Sequence, residues 1–282
     1  MRPILPIISA SRRTDIPAFY RDWFYQKVEQ KYVDTPNPFS GKSIHISLDP
    51  DEISAIVFWS KNYQPFLNIL KQIESRYRHR FLFHFTINGF QSYAKKLFEP
   101  RTPELKAAVK TARYLANRYG KEKIIWRFDP IIFSNLTPAS ERLDTFTQIA
   151  QMLEQSVSRC YVSFIDLYKK VKRNFEKLTP QENLHFLKPI FTEQVQFTRE
   201  LTNLAARHGI EVMTCCEDEI AIAAGIARGH CIDAKLLQKL YPDQQFTAEL
   251  RPTRKGCGCY VSSDIGTYNT CRHRCIYCYA NN

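Results

Sequence analysis

The chain has 282 residues, 44% hydrophobic and 24% charged, with nine glycines and fifteen prolines. This is long enough for one large domain or two small ones, and its composition excludes a disordered or fibrous protein. No apolar run approaches the roughly 18 residues of a membrane span, and 40 Lys+Arg against 28 Asp+Glu give a formal charge of +12, which favours a polyanionic partner.

Apolar runs alternate with helical patterns along most of the chain. Strands are predicted at 4–10, 55–59, 81–87, 123–128, 160–165 and 211–214, rich in Ile, Val and Phe as strands buried on both faces are. The first run is apolar with one Arg, but its two prolines and the polar residues from Ser11 onward read as a strand entering a loop rather than a signal peptide. Asp15-Ile16-Pro17 marks a helix start. A helix is predicted over 103–119, with Leu105, Ala108, Val109, Ala112, Leu115 and Ala116 on one face, Thr102 as N-cap and Gly120 as terminator. Thr179-Pro180-Gln181-Glu182 reads as a capping box opening a helix toward His208, and a short helical pattern spans 221–227.

Repeated strand–helix units imply an α/β fold with a parallel sheet. Six units in about 215 residues suit an open, partial (β/α)6 TIM-like barrel over residues 1–215, with residues 216–282 as a cysteine-rich cap packed on the barrel mouth. Reactive groups of such barrels sit where strands end. The strand ends here offer Arg12, Arg13 and Asp15; Trp59, Lys61 and Asn62; Asn88; Arg127 and Asp129; Asp166 and Tyr168; and Cys215, Cys216 and Glu217. Arg12, Asp15, Lys61, Arg127 and Asp129 are the candidate catalytic residues, the cations suiting a carboxylate or phosphate on the substrate. Arg127 and Asp129 could equally form an ion pair at the barrel rim, Trp59 could be core, and His84 could be a hydrogen-bonded interior histidine.

Nine cysteines, six of them in the last 52 residues, fit metal binding in a reducing, cytoplasmic setting better than disulfides. Cys271, Cys275 and Cys278 follow a C-x3-C-x2-C spacing, with Tyr277 before the third and Tyr279 after it. Three such thiolates can hold three irons of a [4Fe–4S] cluster and leave the fourth open for chemistry; a structural zinc knuckle and a chance clustering of cysteines are the alternatives. Cys216, Cys231, Cys257 and Cys259 could hold a second cluster or a zinc ion, with Cys215 as a substitute ligand and Gly258 permitting a tight turn. Cys160, at the head of an apolar strand, reads as a small buried residue.

The terminal loop resembles that of the radical S-adenosylmethionine enzymes, closest to the spore photoproduct lyase-like group. The chain as a whole is similar to the DUF1848 family, through Ser11-Arg-Arg-Thr-Asp-Ile-Pro17, Val57-Phe-Trp-Ser-Lys-Asn62, Trp126-Arg-Phe-Asp-Pro130, Asp264-Ile-Gly-Thr-Tyr268 and the terminal Cys-Tyr-Ala-Asn. The first resemblance implies that Cys271, Cys275 and Cys278 hold the cluster, that S-adenosylmethionine binds the open iron, and that Tyr277 lies near its adenine; Asn88 is a second candidate for the cofactor. It implies one-electron cleavage to a 5′-deoxyadenosyl radical, an electron donor such as ferredoxin or flavodoxin, and an anionic substrate, with nucleic acid as a candidate. In those enzymes the loop follows the first strand, whereas here it stands at the C-terminal end. A non-radical iron–sulfur carrier or Lewis acid, and a zinc-stabilised nucleic-acid-binding protein, are the competing readings.

Overall fold

The computed structural model describes residues 3–37, 40–254 and 256–281, and the backbone alone at 179–182. In chain order the strands are β1 (Ile7–Ala10), β2 (Tyr32–Pro36), β3 (Ser43–Ser47), β4 (Ala55–Ser60), β5 (Phe81–Thr86), β6 (Ile124–Ile131), β7 (Phe133–Ser134), β8 (Arg159–Phe164), β9 (Phe186–Leu187), β10 (Glu211–Thr214), β11 (Ala227–Arg228) and β12 (Ser263–Asp264). Helices lie between most of them, so the fold is α/β. The chain forms two compact units, residues 1–85 with 230–272, and residues 86–229 with 273–282.

In the first unit four parallel strands run in the order β12-β1-β4-β5. The strands β1, β4 and β5 are mainly apolar and buried because both faces are covered, whereas β12 is Ser-Asp. Phe24, Phe58, Phe66, Phe81 and Phe83 pack ring against ring, with centroids 5.2–6.1 Å apart. Asp15 starts the short helix Ile16–Phe19 by accepting from the Ala18 amide (2.9 Å), as its place before Ile16-Pro17 predicts. The β2–β3 hairpin is antiparallel.

The second unit contains the parallel order β6-β8-β10-β11. Trp126 stacks on Phe146 of the helix Ala139–Leu153 (4.7 Å), and its indole N–H donates to the Ile87 carbonyl (2.9 Å). Gly89 stands at φ +62°, where a Cβ would lie 2.6 Å from Ile149 Cδ1 and 2.7 Å from Thr145 Cγ2. Only glycine allows both that conformation and that approach.

All six predicted parallel strands are present, and 211–214 has the predicted bounds. The parallel strands number eight, however, four in each unit, and no closed barrel is found among the described residues. The two extra strands, β11 and β12, both come from the segment after residue 216; at two residues each they are too short to show a period. The helix predicted at 103–119 is Leu105–Tyr119, and Gly120 ends it at φ +97°. Thr102 does not cap it; its hydroxyl donates to the Glu99 carbonyl (3.1 Å). The capping-box expectation falls on side chains outside the described residues. The backbone there ends the helix Lys169–Glu182, because Asn183 turns left-handed at φ +47°. The following helix is Phe191–Ala206, opened by the Glu193 carboxylate, which accepts from the Ile190 amide (2.8 Å). The pattern at 221–227 is the helix Asp218–Ala224, closed by Gly225. No helix among the described residues is long and apolar enough to cross a membrane.

Candidate functional site

In the first unit the C-terminal end of β1 is organised by a carboxylate more than 250 residues away. Pairing of Ser9 with Asp264 in the β1–β12 register brings that carboxylate to the strand end. Ser9 Oγ donates to Asp264 Oδ2 (2.6 Å), Ser11 Oγ to Oδ1 (2.5 Å), the Arg12 amide to Oδ2 (2.9 Å) and the Gly266 amide to Oδ1 (2.9 Å). The guanidinium Nε atoms of Arg12 and Arg13 lie 3.8 and 3.9 Å from the same carboxylate. Gly266 makes the approach possible, since a Cβ there would sit 2.0 Å from Ser11 Oγ. Arg12 therefore shares one carboxylate with Arg13, and it also lies 5.9 Å from the Trp59 ring centroid.

Asp15 and Lys61 meet, but through the backbone. The Lys61 amide donates to Asp15 Oδ2 (2.9 Å) and Ser60 Oγ to Oδ1 (2.7 Å), so Asp15 ties the end of β4 to the first helix. Trp59 stacks on His84 at 5.0 Å and 9°. His84 is fully buried, and its Nε2 lies 2.7 Å from the Cys231 carbonyl. A carbonyl only accepts, so Nε2 carries a proton.

In the second unit Arg127 and Asp129 form an ion pair through Nε (3.0 Å) and Nη2, the alternative foreseen for them. Ser163 Oγ also donates to Asp129. Asn88 joins this pair to the terminal segment. Its Oδ1 accepts from the Asp129 amide (2.7 Å), and its Nδ2 lies within reach of Glu99 Oε1 (2.8 Å), the Asp129 carbonyl (3.1 Å) and the Tyr277 hydroxyl (3.1 Å). Tyr277 in turn donates to Glu99. Burial, then the charges of Glu99 and Cys275, hold the Tyr277 phenol well above its ordinary pKa, so it stays a donor. The two residues proposed for the cofactor from sequence are thus in direct contact, and Arg142 clamps the Asn88 carbonyl (2.9 Å).

The loop backbone around Tyr277 is also fixed. The Ile276 amide donates to the Phe98 carbonyl (3.2 Å), Asn174 Nδ2 to the Ile276 carbonyl (3.1 Å), and Ile276 and Tyr277 pack on Phe90, Phe98 and Phe175. The Cys278 amide donates to the Cys275 carbonyl (3.1 Å), closing a turn between two half-buried cysteines. Lys170 is held below its ordinary pKa by burial, and the charge of Cys278 acts in the opposite direction.

The remaining cysteines divide. Cys215 and Cys216 are adjacent in the second unit, their sulfurs 4.0 Å apart. Cys231, Cys257 and Cys259 belong to the first unit. The nearby Cys231 and Cys257, then burial, push the Cys259 thiol strongly up. Cys160 is fully buried, as read from its place in an apolar strand, and burial raises its pKa. Among the described residues no group of three or more His, Cys, Asp and Glu side chains is placed to hold a metal ion.

Sequence reasoning took Asp264 only as part of a family motif, without its organising role, and missed Glu99 altogether. Asp264 had one usable signal, its place in a polar Ser-Ser-Asp-Ile-Gly stretch that resembles a strand end. Glu99, before a proline in an ordinary polar turn, had none.

A family model, described as a domain of unknown function (DUF1848), matches residues 7–280. No curated protein matches the chain. No solved structure matches it either.

Proposed function

The chain belongs to the DUF1848 family, and from that premise we propose that it is an iron–sulfur enzyme of the radical S-adenosylmethionine type acting on an anionic substrate. Cys271, Cys275 and Cys278 hold a [4Fe–4S] cluster in this reading. Their chemistry suits it, since all three are half-buried and outside any disulfide, and thiolates are the usual ligands of such clusters. When bound, the cluster supplies the electron that opens the sulfonium of S-adenosylmethionine.

The observation that carries the reading is the clamp on Tyr277. Between Cys275 and Cys278 the chain is fixed by Glu99, Asn88 and the apolar cluster, while both thiols remain accessible. A loop needed only for packing has no reason to keep its sulfurs out of the core, whereas a metal loop needs a rigid backbone and reachable thiols. Tyr277 and Asn88 orient the loop and keep water from its inner side.

The strand ends supply the substrate side, with a partial TIM-like barrel as the frame. Arg12 shares the Asp264 carboxylate with Arg13 and Arg127 pairs with Asp129, so an anionic substrate is recognised through exchange of these partners and through the net charge of +12. Nucleic acid is one such substrate, and its binding should fall steeply with salt.

The test is anaerobic. Reconstituted, reduced protein should convert S-adenosylmethionine to 5′-deoxyadenosine, and Cys275→Ala should abolish the conversion. Protein without acid-labile sulfide, or a Cys275→Ala variant that cleaves at the parental rate, would overturn the proposal.

A further inference from the structure

The helix Lys169–Glu182 of the second unit divides its surface by period. Val171 and Phe175 are buried in an apolar cluster and Leu178 packs against it, the i, i+4 and i+7 positions of one face. One residue before each of the first two, the helix meets the terminal loop. Lys170 Nζ reaches the Tyr279 carbonyl (3.5 Å), and Asn174 Nδ2 donates to the Ile276 carbonyl (3.1 Å). Lys169, Lys172, Arg173, Glu176 and Lys177 are left to solvent, all of them exposed. Lys169, Arg173 and Lys177 follow at four-residue steps, about 6 Å apart along the axis, and so form a row. Glu176, the one acid within 169–177, lies 3.8 Å from Lys172, beside that row.

Two tyrosines stand at the N-terminal end of this helix. Tyr168 directly precedes it and is 42% exposed, and Tyr279 follows the last cysteine of the loop and is 52% exposed. Their ring centroids are 6.4 Å apart and their planes are tilted by 54°, so neither ring covers the face of the other. The Tyr168 hydroxyl donates to Asp166 (3.3 Å), which holds the ring without burying it. Exposed aromatic faces of this size, set beside cations, are costly to leave in water and mark a contact surface.

We infer that this face binds single-stranded nucleic acid, with phosphates along Lys169, Arg173 and Lys177 and bases stacked on Tyr168 and Tyr279. A row of cations beside exposed aromatic faces holds a single strand without regard to sequence, since every nucleotide carries a charge and every base a π-face. The step of about 6 Å between the cations is close to the separation of successive phosphates in an extended strand. A duplex hides its base faces and an acidic protein has none, so either would satisfy the cations and leave the tyrosines without a role. Tyr279 directly follows Cys278, so a base stacked there lies against the loop. That the bound strand is the substrate rests on the function proposed above; that it binds does not.

The experiment therefore uses the full chain with Cys271, Cys275 and Cys278 all changed to Ser. Far-ultraviolet circular dichroism checks that this variant folds; if it does not, the parent chain purified without iron takes its place. The probe is a fluorescein-labelled oligothymidylate of about 16 nucleotides, long enough for one such site, followed by anisotropy. Binding should fall steeply as salt rises. Arg173→Ala combined with Lys177→Ala should weaken it about tenfold or more and flatten the slope of log K against log salt by about 1.4, two phosphates at roughly 0.7 each. Tyr168→Ala and Tyr279→Ala should each weaken it about tenfold with the slope unchanged, and Tyr279→Phe should restore it. Lys106→Ala combined with Lys110→Ala, exposed on the helix Leu105–Tyr119 of the same unit, should leave binding as it is. Absence of binding, equal loss in the Lys106 and Lys110 variant, or tyrosine variants that bind like the parent would overturn the inference. So would tighter binding of an acidic flavodoxin than of the oligonucleotide at the same cations. Oligonucleotide binding by a chain that, with its cysteines intact, fails to cleave S-adenosylmethionine would remove the enzyme and keep the surface.

Discussion

Asp264 in the first unit and Asn88 in the second are both polar hubs at strand ends, yet they are built from opposite chemistry. Asp264 only accepts, and it gathers two serine hydroxyls, two amides and the edges of two guanidinium groups. Asn88 accepts from one amide, and its NH2 faces a carboxylate, a carbonyl and a phenol. A carboxylate surrounded by donors is a fixed anchor, because each donor loses its partner if the charge goes. An amide that both gives and receives can exchange one acceptor for another at small cost. The first hub is therefore suited to holding the fold, and the second to setting the position of a loop.

Substitutions should separate the two. The largest effect is expected from Asp264→Ala, which strands buried donors of β1 and leaves Arg12 and Arg13 unbalanced; a loss of about 3–5 kcal/mol in chemical denaturation is the expected scale. Asn88→Ala should cost about 2–3 kcal/mol, since the Asp129 amide and Glu99 lose a partner while the Arg127–Asp129 pair survives. The smallest loss, about 1 kcal/mol, should come from Tyr277→Phe, which keeps the ring and removes one hydroxyl. Equal losses for Asp264→Ala and Asn88→Ala would erase the contrast between anchor and positioner. If Tyr277→Phe proved as damaging as Asn88→Ala, the phenol rather than the amide would be the true hub.

The sequence was most legible where burial repeats. The strands β4 and β5 and the helix Leu105–Tyr119 announce themselves because every turn or pleat meets the same apolar surroundings. The strands β11 and β12 were invisible, as two residues carry no period and their pairing depends on partners far along the chain. The same reasoning covers the polar groups. Arg12, Asp15, Lys61, Arg127 and Asp129 could be marked as strand-end residues, but whether a cation faces solvent or a carboxylate is a tertiary fact. Asn88 and Tyr277 were singled out separately, and only the fold shows them touching.

The pairing of β12 with β1 has a consequence for biosynthesis. During translation β1 emerges early, while the strand that covers its outer edge arrives some 255 residues later. At roughly 5–20 residues per second that interval is of the order of tens of seconds. Throughout it, the β1 edge bears unpaired amides and carbonyls and the hydroxyls of Ser9 and Ser11 lack Asp264, the kind of exposed edge that recruits another strand. Nascent or C-terminally truncated chains should therefore be the aggregating species, and completion of the Asp264 cluster the step that removes the hazard.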